Sequence, residues 1–168
     1  MTVAELNRLS PADCAHALAG IAEHAPWVAS AVAAERPFAD STAVQDHCEL
    51  VIRRAPEALR YELIANHPDL GGKAAIAEAL TSESASEQAS AGLDRLTPTE
   101  FAEFHQLNAA YRERFGFGFI ICVREHTKAS VLSEFRRRVT GEPAVELASA
   151  LDEVIKIVRL RVSDLVRG

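Results

Sequence analysis

Pro143-Ala144-Val145-Glu146-Leu147-Ala148-Ser149-Ala150-Leu151-Asp152-Glu153-Val154-Ile155-Lys156-Ile157-Val158-Arg159-Leu160-Arg161-Val162-Ser163-Asp164-Leu165 reads as one long helix. Proline at its start suits a first helical position, where no N–H is needed. Ala144, Leu147, Ala148, Leu151, Val154, Ile155, Val158, Val162 and Leu165 recur at three and four residues. At about 100° per residue they form one apolar stripe, and Arg161 lies roughly 80° from its centre. Arg159 falls on the opposite flank.

The same period runs through most of the 168 residues, which predicts an all-α chain of about eight or nine helices in one compact domain. Ser10-Pro11-Ala12-Asp13 opens a helix that should reach about Glu23. Pro26-Trp27 opens a second, ending before Pro37. Ser41 caps a third, through about Arg54. Pro56 starts a fourth, which must stop near His67 because Pro68 disfavours helical backbone before it. Lys73 to Leu80 makes a short fifth. Ser84-x-x-Glu87 begins a sixth, and the capping-box pattern Thr97-Pro98-Thr99-Glu100 begins a long seventh, to about Arg114. Lys128 to Val139 is a further helix. Phe115 to Val123 breaks the period with a continuous apolar run, readable as a buried strand or a buried loop.

Composition narrows the class. Charged residues are 25% and apolar residues 48%, values typical of a soluble globular protein. A net charge of −6 argues against nucleic acid or an anionic membrane as partner, while leaving room for a small anion held by a local arginine. Cys14, Cys48 and Cys122 are odd in number and form no C-x-x-C pair, so the expected setting is a reducing cytoplasm. The first residues lack the basic-then-apolar pattern of a secretory signal, and no apolar run approaches ~18 residues. The remaining histidines, His16, His24, His47, His105 and His126, show no metal-ligand spacing and read as surface or core-edge residues. The triplet Arg136-Arg137-Arg138 reads as a solvated face.

Four features carry chemistry. In His67-Pro68-Asp69-Leu70-Gly71-Gly72 an imidazole stands on a rigid Pro-Gly turn. It can exchange protons near neutrality, or simply meet the last carbonyls of the preceding helix. Glu87-Gln88 offers a carboxylate and an amide near a helix start, either facing a pocket or closing the Ser84 capping box. Phe115-Gly116-Phe117-Gly118-Phe119-Ile120 is either plain core or a water-excluding wall whose glycines let backbone approach a ligand. Arg161 is either a bidentate anion holder or a side chain lying along apolar surface.

Together these residues resemble the OHCU decarboxylase family, whose substrate is 2-oxo-4-hydroxy-4-carboxy-5-ureidoimidazoline, an intermediate of urate breakdown. The similarity runs through Glu23-His24-Ala25-Pro26-Trp27, Arg36-Pro37-Phe38, the His67 turn, and Ser84-x-x-Glu87-Gln88-x-x-Ala91-Gly92-Leu93. It continues in Leu107-Asn108-x-x-Tyr111, Phe115-Gly116-Phe117 with Phe119-Ile120, and Glu153 to Leu165. Each piece is short, and their order and spacing are specific. Gly118 departs from the family, which commonly has proline there, and that change is expected to loosen one wall of the pocket.

The resemblance implies an all-helical homodimer that works without metal or organic cofactor and yields (S)-allantoin. It puts the catalytic histidine on His67 and the catalytic glutamate on Glu87. It puts substrate contacts on Pro68, Ser84, Gln88, Phe117, Gly118, Phe119, Ile120 and Arg161. Two other readings share these residues: a lyase for a related ureido or hydantoin-like acid, and a helical scaffolding domain without activity.

Overall fold

The computed structural model describes residues 1–71 and 80–167. Among them it has nine α-helices and no β-strand, so the chain is all-α. In chain order these are α1 Val3–Arg8, α2 Pro11–Ala17, α3 Pro26–Ala34, α4 Ser41–Arg54, α5 Glu57–Ala65, α6 Ser82–Ser90, α7 Pro98–Phe115, α8 Lys128–Arg138 and α9 Pro143–Leu165. Short 3-10 turns occur at Ala19–Ile21 and Val123–Glu125. The helix expected over Lys73–Leu80 falls on 73–79, outside the described residues. The chain divides into two compact units, Met1–Leu63 with Ile155–Gly168, and Ile64–Val154.

In the first unit α2 packs on α3, and α3 on α4. Leu6, Cys14, Leu18, Ile21, Val28, Val32, Val44, Cys48, Ile52, Val158 and Val162 form its core. Helix α1 was not expected, although Thr2-x-x-Glu5 closes a complete capping box at its start. The helix predicted to reach Glu23 is α-helical only to Ala17, and a 3-10 turn follows. Asp40, not Ser41, caps α4, accepting the Ala43 N–H at 2.8 Å. An isolated parallel bridge joins Thr2 to Arg167.

The second unit is built around Tyr111. Its ring lies 4.4 Å from that of Phe115, 5.8 Å from Phe117, 5.5 Å from Phe119 and 5.9 Å from Phe135, centre to centre. Phe119 stacks on Phe135 at 4.0 Å. Such contacts favour a defined arrangement beyond the area they bury. The Phe115–Val123 run resolves as buried loop rather than strand: Phe117 to Val123 are all buried, and no ladder forms there.

One expectation about charge, and one about the start of the α9 stripe, fail in this unit. Arg136 and Arg137 are exposed and paired with Glu103 and Glu134, but Arg138 turns inward and is only 4% exposed. Its Nε donates to Glu146 at 2.9 Å, and Tyr111 donates its hydroxyl hydrogen to the same carboxylate oxygen at 2.6 Å. Glu146 is thereby drawn into the core. The buried face of α9 accordingly starts with Glu146 and Ala150, while Ala144 and Ala148 of the predicted stripe are exposed. From Leu151 to Val162 the predicted stripe is buried.

Candidate active site

Helix α5 ends at Ala65, and the His67 N–H still reaches the Ile64 carbonyl at 3.2 Å. His67 is buried, and Pro68 then turns the chain away. Gly71 takes a φ of 58°, a left-handed conformation that suits glycine. A Cβ there would come within 3.0 Å of Leu96 Cδ1 and 3.1 Å of Phe104 Cγ, so the turn sits flush on α7.

The turn is clamped from two helices. Gln88, on α6, accepts the Gly71 N–H at 3.1 Å and donates to the Asp69 carbonyl at 3.3 Å. Asn108, on α7, donates to the Leu70 carbonyl at 2.9 Å. Arg112, one turn further along α7, grips the Asp69 carboxylate through Nε at 3.1 Å and Nη2 at 2.8 Å. Gln88, expected to face substrate, thus spends both of its polar atoms on backbone. It retains a second amide hydrogen.

Helix α6 begins earlier than the sequence suggested. Thr81 is its cap and accepts the Ser84 N–H at 3.2 Å. Ser84-x-x-Glu87 is therefore not a capping box: Ser84 is a buried residue of the first turn, and Glu87 stands a turn later, half-buried. Glu87 therefore does not close a capping box. Helix α6 packs against the Val123–Glu125 turn. Cys122, beside that turn, has its thiol pushed up to about 11, first by burial and then by the carboxylates of Glu125, Glu153 and Glu87. Glu87 is thus within electrostatic reach of the segment that carries the aromatic residues.

That segment is held from behind. Arg138 Nη1 donates to the Ile120 carbonyl at 2.9 Å, and its guanidinium covers the Phe119 ring at 4.8 Å. The Cys122 N–H donates to Glu153 at 2.7 Å. Phe117, Gly118, Phe119 and Ile120 are all buried. The pocket wall is not loosened at Gly118. A Cβ on Gly118 would lie 2.8 Å from Asp69 Oδ1 and 3.3 Å from Arg112 Nη2, so the ion pair already fills that space.

Arg161 belongs to the first unit. It is 6% exposed, with Nη2 3.9 Å from Glu23, whose side chain is fully buried, and Nη1 3.5 Å from the Gly20 carbonyl. Arg159 is engaged elsewhere, with Asp46 and Glu49. Among the described residues no group of three or more His, Cys, Asp or Glu side chains is arranged to hold a metal ion.

Sequence reasoning passed over the supporting residues. Asn108 and Arg112 had no assigned role, and Arg138 was placed on the surface. The signal for Asn108 was present: it shares the buried phase of α7 with Phe104 and Tyr111, where a polar residue needs a partner.

A buried imidazole on a clamped turn, with a carboxylate and an apolar aromatic segment in the same unit, fits the class of enzymes that move protons on a small molecule. Comparison narrows the class. The OHCU decarboxylase family model matches residues 7–163, so the chain belongs to that family. It is 38% identical over 167 residues to the 2-oxo-4-hydroxy-4-carboxy-5-ureidoimidazoline decarboxylase of Amia calva, covering 99% of this chain and 95% of the relative. It is 36% identical to the Mus musculus enzyme of the same name, covering 99% and 93%. Among solved structures, an OHCU decarboxylase crystallised in the presence of (S)-allantoin superposes with a TM-score of 0.67 at 25% identity, over 84% of this chain and 91% of that one. An (S)-allantoin synthase superposes with a TM-score of 0.77 at 29% identity. The chain covers 99% of itself in that match but spans only 54% of the synthase.

Proposed function

We infer that this chain is a carboxy-lyase that converts 2-oxo-4-hydroxy-4-carboxy-5-ureidoimidazoline to (S)-allantoin in urate degradation. Membership of the family over residues 7–163 carries the reading. Residues of both units lie inside that match, which supports treating them as one functional domain.

The substrate supplies its own electron sink. The carbon that loses CO₂ bears a hydroxyl and adjoins a carbon–nitrogen double bond. When the carbon–carboxylate bond breaks, its electron pair moves toward that double bond. A carbon–carbon double bond forms in its place and the nitrogen takes up a proton; the hydroxyl then gives up its own proton to become a carbonyl, and a proton is delivered to one face of the neighbouring ring carbon. The protein must orient the ring, exclude water and deliver that proton.

His67 serves as the proton-transfer residue near the hydroxyl and carboxylate. Glu87 hydrogen-bonds the ureido or ring N–H groups and shares the proton work. Ser84, Pro68 and the remaining amide hydrogen of Gln88 present polar and shape contacts. Phe117, Gly118, Phe119 and Ile120 form the apolar side. Arg161 enters by the family resemblance, as a planar fork for two acceptor atoms. No organic cofactor or metal is needed by this chemistry.

Three free, buried cysteines support a cytoplasmic setting, and among the described residues no helix is long and apolar enough to cross a membrane. The homodimer implied by the resemblance is part of the proposal and is checked by sedimentation.

The deciding experiment generates the unstable intermediate from urate in situ and follows its decay together with the optical sign of the allantoin formed. Accelerated decay with one enantiomer in excess is expected. Accelerated decay with racemic product would place the protonation in solution and remove the assigned site.

A further inference from the structure

We propose that Asn108 is a positioning residue for His67, acting through the backbone of the turn that follows it. The inference rests on the reading of His67 as the proton-transfer residue. Asn108 is 6% exposed and sits on α7 between Phe104 and Tyr111, both fully buried. An asparagine in such surroundings is costly unless its polar atoms are used. Here one is. Nδ2 donates to the Leu70 carbonyl at 2.9 Å, while Oδ1 is buried and has no partner among the described residues. A side chain that leaves an acceptor unsatisfied is a poor choice for stability, because each orphaned buried group costs free energy. An apolar residue of the same shape would remove that cost. What it would not do is hold Leu70.

The hold on Leu70 is the middle of three. Gln88 takes the Asp69 carbonyl and the Gly71 N–H on either side of it. Gly71 is in turn pressed against Leu96 and Phe104, and Arg112 fixes the Asp69 side chain. Three successive residues are therefore fixed by side chains from two different helices. His67 stands two residues before the first of them, joined through Pro68, whose ring fixes one of the intervening torsions. Rotation of the turn would swing the imidazole. Proton transfer tolerates little such movement: a displacement of about 1 Å can cost about 10²-fold in rate.

This separates Asn108 from a residue that merely helps the chain fold. Asn108→Leu keeps the shape, discards the orphaned acceptor and releases the Leu70 carbonyl. Its melting temperature should change little. Its kcat should fall at least about tenfold with KM changed less than about twofold, because the chemical step and not binding is disturbed. Arg112→Gln, at a half-exposed position that does not threaten folding, should give a smaller loss in the same direction. In a His67→Asn background Asn108→Leu should have no further effect, since the group it positions is gone.

Near-wild-type kcat in Asn108→Leu, or a raised KM with kcat preserved, overturns the proposal. So does an undiminished effect in the His67→Asn background. If Asn108→Leu does not fold, Arg112→Gln decides, and unchanged kcat there has the same force. Should His67→Asn itself keep near-wild-type activity, the assignment of His67 is what fails.

Discussion

Replacing Arg138 by Met tests whether the buried cation beneath the aromatic segment is structural support. The two side chains of the Arg138–Glu146 pair are 5% and 4% exposed, so neither can turn to water for compensation. Arg138→Met deletes the Glu146 bond at 2.9 Å, the Ile120 carbonyl bond at 2.9 Å and the guanidinium over Phe119. Glu146 is left in the core with the Tyr111 hydroxyl among the partners shown here. Removing one partner of a buried ion pair typically costs about 3–5 kcal/mol, mostly from the charge left behind. One change offsets this. Arg138 Nη2 is buried without a partner among the described residues, and deleting it returns about 1 kcal/mol. A net loss of about 3 kcal/mol corresponds to a fall in melting temperature of about 10 °C for a chain of this size. Thermal and urea melts followed at the helical circular dichroism band measure it. The companion variant Arg138→Met/Glu146→Leu removes the stranded carboxylate and should recover most of the loss, since apolar replacement of a buried pair is often neutral. A single variant that loses less than about 1 kcal/mol, or a double variant worse than the single, would refute this account of the network.

Glu87→Gln should leave the melting temperature nearly unchanged while activity falls by about 10²-fold, whereas Thr81→Ala, which removes the real cap of α6, should cost about 1 kcal/mol with activity per folded molecule retained; paired melts and rate assays separate the two. Stability should fall in alkali. Burial raises the thiols of Cys14, Cys48 (to about 12) and Cys122 (to about 11), and burial with the Glu146 bond raises the Tyr111 phenol. The folded state therefore holds these protons longer than the unfolded chain, so their stabilisation is complete below the unfolded values, about 8.5 for thiols and 10 for tyrosine, and is lost as pH climbs through the folded ones. Melting temperatures should decline from about pH 9 upward, and Cys48→Ala should flatten that decline; an unchanged slope would count against the burial argument. Gly118→Ala should displace the Asp69–Arg112 pair, and because that pair is partly exposed the stability loss should stay near 1 kcal/mol; urea melts with and without Arg112→Gln show whether the two changes are coupled.

What could be read from the sequence divides by the distance between partners. The Thr97 capping box was legible because both of its halves lie within four residues, and both of its bonds form. Ser84-x-x-Glu87 has the same spelling, yet Ser84 lies inside the helix rather than at its cap. A cap is fixed by where the chain enters the helix, and Thr81 takes that place three residues earlier. Arg138 was misplaced for a related reason. In a run of three arginines nothing local distinguishes the third, and its burial is decided by Glu146 and Tyr111, eight and twenty-seven residues away. The catalytic candidates His67 and Glu87 stand in short motifs and were visible, whereas the supports of the His67 turn on α7 and of the aromatic segment on α8 were not.

Gly118 shows how far this local reading can mislead. Set against the proline that the resemblance leads one to expect, it suggests a gap, since glycine carries no ring. The structure puts the Asp69 carboxylate where a Cβ would go and brings Arg112 in behind it. Asp69 lies forty-nine residues before Gly118 and is anchored to the turn that carries His67. The glycine is therefore better understood as the space that allows the turn's outer ion pair to seat against the aromatic segment. On that view the substitution ties the segment to the His67 turn, and a proline restored at 118 would have to displace the pair before it could fill any gap.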